Sequence, residues 1–505
     1  MDLGMLAEEF HAHGILREVI GDISGLDVES MADDSRAVRP GALFVCIRGL
    51  EFDGHRFAPQ AVSKGAAALV VEEYIPSIQI PCLVVSDTRR AAALAAAILH
   101  GYPSRALNLI GVTGTNGKTT TTYIIRAILE AHDVPAGIIG TNAYLWAGQH
   151  HPATTTTPGM LRIHELLARM RDAGCRAAAM EVSSHGLDQG RTLGLEFDVA
   201  VFTNLSRDHL DYHRDMEEYF LVKRRLFETL TSGGFSVVNA DDPYGRRLLA
   251  WMKETGMPAL AYGLSDHCPV RMEMNPVPEY TLNGTRAVFR AGGRMFPLHL
   301  RLIGSHNVYN LLAALGACQA LGIEMKADRL RVALEGLAWV KGRLQPVAAG
   351  QPFHVLVDYA HTPEALRSVL GALLPLRGRG RIITVFGAGG DRDPGKRPLM
   401  GEAVASLSQV AVVTSDNPRT EDPEAIIQMI LSGIPARRRG DVLVEPDRGK
   451  AIARAIRMAQ PGDVVLIAGK GHEDYQIMGK EKRRFDDAEK AEKYIIQWVR
   501  EGKWN

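Results

Sequence analysis

LIGVTGTNGKTTTTYIIRAILEAH (109–132) passes from one backbone type to another without a break. Leu109 to Val112 form the short apolar run of a buried strand. A Gly/Thr-rich turn follows, and the segment from Tyr123 on has the apolar spacing of a helix. A strand running through glycines into a helix start is the context a phosphate-binding loop needs. Glycine lets backbone N–H groups converge on phosphate oxygens, and the helix N-terminus adds a favourable dipole. The strict G-x-x-x-x-G-K-[ST] pattern is not met, because its first position falls on Val112. The shorter Gly114-x-x-Gly117-Lys118-Thr119 stands in its place. Lys118 is placed to reach the β- and γ-phosphates and Thr119 to ligate magnesium, so ATP or GTP binding is expected.

Outward from this stretch the chain reads as α/β. Strand patterns recur at RAAAMEVSS (176–184), DVAVFTN (198–204) and FSVVNA (235–240), with helical lengths between them, as parallel βαβ units require. Residues 270–303 instead alternate around Asn283-Gly284 and Gly292-Gly293, predicting antiparallel hairpins. Before the phosphate loop, ALFVCIRG (42–49), AALVV (67–71), CLVVSD (82–87) and the helical TRRAAALAAAILH (88–100) suit a small α/β domain. After residue 341, five strands at 354–360, 382–390, 410–416, 442–447 and 464–471 alternate with four helical spacers, a doubly wound pattern. Three domains are expected, at 1–100, 101–340 and 341–505, in a chain of 505 residues.

Lys+Arg and Asp+Glu both number 58, which argues against a nucleic-acid partner needing a basic excess. The five cysteines form no C-x-x-C pair, so neither a disulfide framework nor a zinc site is encoded. The acidic start MDLGMLAEEFHAHG lacks the order of a signal peptide, and no apolar run reaches the ~18–20 residues of a membrane span. A cytoplasmic protein without membrane insertion is expected.

The loop does not by itself choose between kinase, motor and ligase. TGTNGKTTT (113–121), MEVSSHGL (180–187), TNLSRDHLDYH (203–213), GSHNVYNLLAA (304–314), DYAHTPEAL (358–366), FGAGGDRDPGKRP (386–398), SDNPR (415–419) and AGKGHEDYQ (468–476) fall in this order. Together they resemble the Mur ligase family across all three expected domains: a central P-loop ATPase-like domain and a C-terminal Rossmann-like domain behind a substrate-binding one. The resemblance implies an ATP-dependent, amide-bond-forming ligase of peptidoglycan precursor synthesis, acting on UDP-MurNAc-L-Ala-D-Glu through an acyl phosphate. A monomer is expected. A folylpolyglutamate synthetase-like ligase shares the loop but lacks the UDP-sugar domain and DNPR. A non-catalytic P-loop scaffold would not need the metal-ligand candidates below.

Glu181 ends a very apolar strand, where a metal-binding carboxylate often stands beside a phosphate loop; a solvent-facing strand end is the plainer reading. The resemblance makes it a Mg²⁺ ligand, and makes His209, otherwise readable as a hydrogen-bonded structural histidine, a ligand of a second Mg²⁺. Lys223 reads from pattern as a solvated helix charge, and the resemblance alone makes it a carbamylated lysine bound to that metal. Carbamylation turns a cation into an oxygen donor, which hard cations prefer. With Lys118 these are the expected catalytic residues.

By the same resemblance, ATP is bound by Gly114, Thr115, Asn116, Gly117, Lys118, Thr119 and Thr120, with Asn307, Asn310, Arg343 and Asp358. The UDP-MurNAc-dipeptide is bound by Ser35, Thr156, Thr157, Ser183, Gln189 and Arg191. The chain departs from the family pattern at Thr155, where an asparagine is common. The incoming amino acid is expected at Arg392, Asp416, Asn417, Pro418, Arg419, Gly469 and Glu473. From local chemistry DNPR also reads as a type I turn, Asp, Asn and Pro all being turn formers. Its arginine favours meso-diaminopimelate over L-lysine, because a guanidinium fork matches the far carboxylate that only diaminopimelate carries.

Overall fold

A computed structural model of the chain describes residues 1–49 and 52–501. The chain divides into two compact units. The first comprises 1–113, 133–201 and 221–236; the second comprises 114–132, 202–220 and 237–505.

The first unit begins with a five-stranded sheet in the order Leu16–Ile20, Cys82–Val85, Ala68–Val71, Leu43–Val45, Met31–Ala32. Only Leu16–Ile20 runs antiparallel. Alternate residues of a strand face opposite ways, so one strand feeds two cores. Leu43 and Val45 pack with Leu3, Leu6 and Phe10 of the helix Leu3–Ala12, whereas Phe44 packs with Ala58 and Ala61 on the other face. The alanines of Thr88–Leu99 are mostly buried, and Asp87 caps that helix by accepting from the N–H groups of Arg89 and Arg90.

The same unit holds the strands Asn108–Thr113, Ala177–Glu181 and Ala136–Ile139, parallel and adjacent in that order, with residues 197–201 of the strand Phe197–Phe202 next to the first of them. The hairpin Ala143–Trp146 and Gln149–Pro152 extends them. A Cβ on Gly111 would lie 2.8 Å from the Phe197 ring, so close packing requires glycine there. Pairing of Glu181 with Val112 brings the end of one strand level with the approach to the phosphate loop.

In the second unit, Gly284–Ala291 and Arg294–Leu300 pair antiparallel around Gly292-Gly293, as expected, with φ of 56° and 73° at the two glycines. The neighbouring turn differs from expectation. Thr281 pairs with Gly284, so Leu282-Asn283 form the turn and Gly284 already belongs to the strand. At φ 112°, any Cβ on Gly284 would collide with the Leu300 carbonyl, which accounts for the glycine without making it a turn residue.

The C-terminal sheet runs Gln345–Pro346, His354–Asp358, Val464–Ala468, Ile382–Phe386, Val410–Val413, Val442–Val444. It is parallel except for its first, edge strand. The helices Pro363–Leu373, Lys396–Leu407, Pro423–Ser432 and Arg448–Met458 supply the four expected spacers. Leu356 faces one core and Val355 and Val357 the other, as a sheet covered on both sides demands.

Candidate active site

The phosphate loop leaves Asn108–Thr113 and enters the helix Lys118–Ala131, whose N-cap, Gly117, brings no side chain to the helix start. Gly114 (φ 145°) and Gly117 (φ 88°) hold backbone shapes that other residues rarely adopt. A Cβ on Gly114 would strike the Thr203 hydroxyl, and one on Gly117 would strike the Asn310 amide oxygen. The TNLS segment braces the loop: Thr115 N donates to Asn204 O (2.9 Å), Asn116 N to Asn204 Oδ1 (3.0 Å), and Thr203 Oγ1 to Asn116 O (2.6 Å). Lys118 Nζ folds back on Gly114 O and Thr115 O, both at 2.8 Å, a position from which it can swing to a phosphate.

Asn307 and Asn310 share one turn of the helix Ser305–Ala320, with Asn310 Nδ2 donating to Asn307 Oδ1 at 2.9 Å. Arg343 Nη2 donates to Thr119 Oγ1 (3.2 Å), which brings those two expected residues together. Asp358 is buried, and its two carboxylate oxygens accept from the N–H groups of Leu344 and Ala360. Burial raises its pKa against the pull of Arg343.

In the first unit, Glu181 is only 1 % exposed and accepts from Thr141 N (2.8 Å) and Thr141 Oγ1 (3.0 Å). With its one proton given to the carboxylate, the Thr141 hydroxyl accepts from Thr156 Oγ1 at 3.0 Å. Thr157 Oγ1 donates to Glu181 O and accepts from Ser183 N, each at 2.9 Å, and Thr157 O accepts from Arg191 Nη1 at 2.7 Å. Arg191 also holds Gln189 Oε1. Thr156, Thr157, Ser183, Gln189 and Arg191 therefore form one network around Glu181. Ser35 takes no part in it: its hydroxyl donates to Gln60 Oε1 at 2.7 Å. Lys223, expected from pattern to be solvated, is 1 % exposed on the helix Met216–Arg224.

His209 sits at φ 54°, its N–H donating to Asp208 Oδ1 (2.9 Å) and its ring Nε2 lying 3.5 Å from Asp208 Oδ2. Burial raises the Asp208 pKa, but His209 and His361 outweigh it and hold the carboxyl below its usual range. His209 lines a cavity of about 800 Å³ with Arg392, Asp416, Asn417, Arg419, Gly469 and Glu473. This cavity lies at the carboxyl ends of the parallel strands, where doubly wound sheets bind ligands. Six of the seven residues expected for the amino acid line it. Pro418 does not. Its carbonyl is turned against Gly390 and accepts from Glu421 N at 3.1 Å.

The DNPR segment lacks the hydrogen bond from the fourth residue back to the first that closes a turn, and Arg419 adopts φ 52°. Its N–H donates to Ile477 O and its carbonyl accepts from Gly479 N, while Nη1 donates to Gly390 O at 2.5 Å. This pins the backbone on the hairpin Tyr475–Met478 and Glu481–Arg484 and turns the side chain into the cavity. Burial, then Asp416, push the Glu473 carboxyl above its usual range, against Lys470.

Sequence reasoning missed several residues of this pocket. Tyr359, His361, Lys396 and Tyr475 line it, and Lys470 lies buried behind it. All five stand inside quoted motifs, but no local signal distinguishes them from packing residues.

Family models for the Mur ligase family catalytic domain, the Mur ligase middle domain and the Mur ligase glutamate ligase domain match residues 27–103, 112–318 and 342–471. The chain belongs to the Mur ligase family. Among relatives of this Mur ligase, the UDP-N-acetylmuramoyl-L-alanyl-D-glutamate–2,6-diaminopimelate ligase of Gloeobacter violaceus is 46% identical over 93% of this chain and 94% of its own. The enzyme of that name from Geobacter metallireducens is 44% identical over the same shares. A solved structure of a ligase of that name is 32% identical, with a TM-score of 0.68, covering 96% of this chain and 98% of that one. The fold is the α/β Mur ligase fold with N-terminal, middle and C-terminal domains. A Mycobacterium tuberculosis folylpolyglutamate synthase structure shares it at 20% identity and a TM-score of 0.63, covering 76% of this chain and 93% of its own.

Proposed function

We propose that this Mur ligase joins meso-diaminopimelate to the D-glutamate carboxyl of UDP-MurNAc-L-Ala-D-Glu at the expense of ATP. The observation that carries the reading is the cavity in which Arg419 and Glu473 face one ligand, a guanidinium for a carboxylate beside a carboxylate for an ammonium. L-Lysine has the distal amine without the carboxylate and would leave Arg419 unmatched. Neither the lysine-adding nor the folylpolyglutamate-type alternative is favoured.

A carboxylate is a poor electrophile, so the γ-phosphoryl group of ATP first passes to it, giving an acyl phosphate and ADP. The amine then attacks the acyl carbon. A C–N bond forms, the C–O bond to phosphate breaks, phosphate leaves, and the nitrogen gives up its proton. The loop Gly114–Thr120 holds the phosphates, with Lys118 offsetting the charge that gathers as two anions meet. Asn307 and Asn310 face the adenine end, Arg343 the phosphates and Asp358 the ribose. Ser35, Thr156, Thr157, Ser183, Gln189 and Arg191 hold the nucleotide-sugar peptide. Arg392, Asp416, Asn417, Arg419, Gly469 and Glu473 hold the diamino acid, and Pro418 shapes their loop.

Among the described residues, no three His, Cys, Asp or Glu side chains cluster into a metal cage. Mg²⁺ usually takes only one or two protein carboxylates and completes its shell with phosphate oxygens and water, and the buried Glu181 is a carboxylate of that kind. Thr119, Glu181, His209 and a carbamylated Lys223 would hold such ions, which supply charge neutralisation at the phosphates. The domains are assigned to 1–100, 101–340 and 341–505. The enzyme acts as a cytoplasmic monomer without nucleic acid; among the described residues no helix is long and apolar enough to cross a membrane. The test is phosphate release from ATP with the UDP-MurNAc-dipeptide alone, diaminopimelate alone, and both. Sustained turnover only with both supports the ligase, and turnover with neither or with one removes it.

A further inference from the structure

Lys470 is 0% exposed and stands between two glycines in left-handed conformations, Gly469 (φ 119°) and Gly471 (φ 53°). A Cβ on Gly469 would strike the Asp416 carboxylate, and one on Gly471 would lie 2.6 Å from the Cβ of Tyr359. The G-K-G spacing thus lets the loop fold sharply enough to turn a lysine inward. Its ammonium donates to Asn417 Oδ1 at 2.8 Å and Tyr475 O at 2.7 Å. It stands 3.6 Å from both Asp416 Oδ1 and Glu473 Oε2. Its own carbonyl accepts from Glu473 N at 2.9 Å.

An ammonium only donates, so Asn417 must turn its oxygen to Lys470. That oxygen also accepts from Ile477 N at 3.0 Å, which leaves the Asn417 amide nitrogen facing the other way. It donates to Glu473 Oε2 at 2.9 Å. One oxygen of Glu473 is thereby occupied, and the other, Oε1, makes no hydrogen bond among the described residues. Glu473 lines the cavity. The chain Lys470, Asn417, Glu473 converts one buried cation into a defined direction for one carboxylate.

We propose that Lys470 is a positioning residue for the incoming amino acid, orienting Asn417 and Glu473 so that Glu473 presents a free carboxylate oxygen to the ligand's ammonium. It rests on the diaminopimelate reading above and adds to it a residue that lies behind the pocket wall. The charge acts in the same direction as the geometry. Around Glu473 stand Asp416 and Arg419 on the DNPR loop, Arg448 on its helix, Tyr359 beside His354–Asp358, and Tyr475 on the hairpin. Burial and Asp416 favour the protonated carboxyl, and Lys470 opposes them. Without Lys470, Glu473 takes up its proton at a higher pH and loses its attraction for an amine.

The experiment is a steady-state comparison of the full-length unmutated enzyme, Lys470→Met, Glu473→Gln and the double variant. KM is measured separately for meso-diaminopimelate, ATP and UDP-MurNAc-L-Ala-D-Glu across pH. Lys470→Met is expected to raise the diaminopimelate KM by about tenfold or more, as loss of a charge-assisted contact does, while the other two stay within about twofold. The rise in that KM on acidification should begin at a higher pH. The double variant should match Glu473→Gln alone, because the two residues act as one unit. It also removes one of the two carboxylates that Lys470→Met leaves without their cation, so it decides the matter should the single variant not fold. A diaminopimelate KM unchanged in Lys470→Met, or a double variant much weaker than Glu473→Gln, overturns the role of Lys470. Failure of the unmutated enzyme to use diaminopimelate would instead remove the functional reading beneath it.

Discussion

On the proposed reading the phosphate loop takes a polyphosphate and the pocket a diamino acid, and the two are built in opposite ways. At the loop the work falls to backbone: two glycines at positive φ, N–H groups at a helix start, and a lysine held in reserve on two carbonyls. At the pocket it falls to side-chain charge, with Arg392 and Arg419 set against Asp416 and Glu473 and a buried lysine behind them. A backbone site accepts any polyphosphate, since every nucleotide offers the same oxygens. A charge-patterned pocket reads which end of a ligand carries which sign. The proposed function thus gives the energy source to the generic device and the substrate choice to the specific one.

This contrast breaks first if the loop proves dispensable. Lys118→Ala should lower kcat/KM by about 10³-fold or more, because charge compensation at the transferred phosphoryl is lost. Its Tm should move by no more than about 2 °C, as expected for a half-exposed charge at a helix start. Near-normal ligation by the folded variant would detach the loop from the reaction.

Lys223 sharpens the comparison, being a buried lysine on neither surface. If its carbamate is an oxygen donor, Lys223→Ala should lose about 10²-fold or more in kcat and regain part of it with formate or acetate, which replace that donor. An alanine variant of undiminished activity would contradict the assignment.

The pH response of the pocket should be milder. Burial and Asp416 raise the Glu473 pKa, so the carboxylate exists above that raised value and is lost as pH falls through it. The diaminopimelate KM should therefore climb on acidification, by up to about tenfold per pH unit below the pKa, and Glu473→Gln should flatten the profile. A profile that keeps its full slope in Glu473→Gln would assign the titration to another group.

The same contrast explains what was legible beforehand. The five C-terminal strands and four helices were readable because apolar runs and turn residues repeat locally, as they do at 109–132. Leu282-Asn283 was misplaced by one residue because Gly284 looks like a turn glycine, whereas a carbonyl at the next strand is what excludes its side chain. The edge strand Gln345–Pro346 and the hairpin 475–484 are short and polar and left no periodic signal. In the candidate site, glycines and the Lys-Thr pair announced the loop. Pro418 was included with its neighbours because sequence does not show which way a loop residue turns. Lys470 was passed over because its importance comes from Asp416, Asn417 and Glu473, two of them more than 50 positions away and all joined to it only by folding.

The central claim is that Arg419 and Glu473 make this enzyme specific for a diamino acid with a carboxylate at its far end. The direct measurement is competition between meso-diaminopimelate and L-lysine for the unmutated enzyme and for Arg419→Ala, with UDP-MurNAc-L-Ala-D-Glu and ATP saturating. The account predicts a preference for diaminopimelate of about 10⁴-fold, since a pocket built around a polar partner rejects the ligand that lacks it, and most of that preference should vanish in Arg419→Ala. Equal or better use of L-lysine by the unmutated enzyme would contradict it.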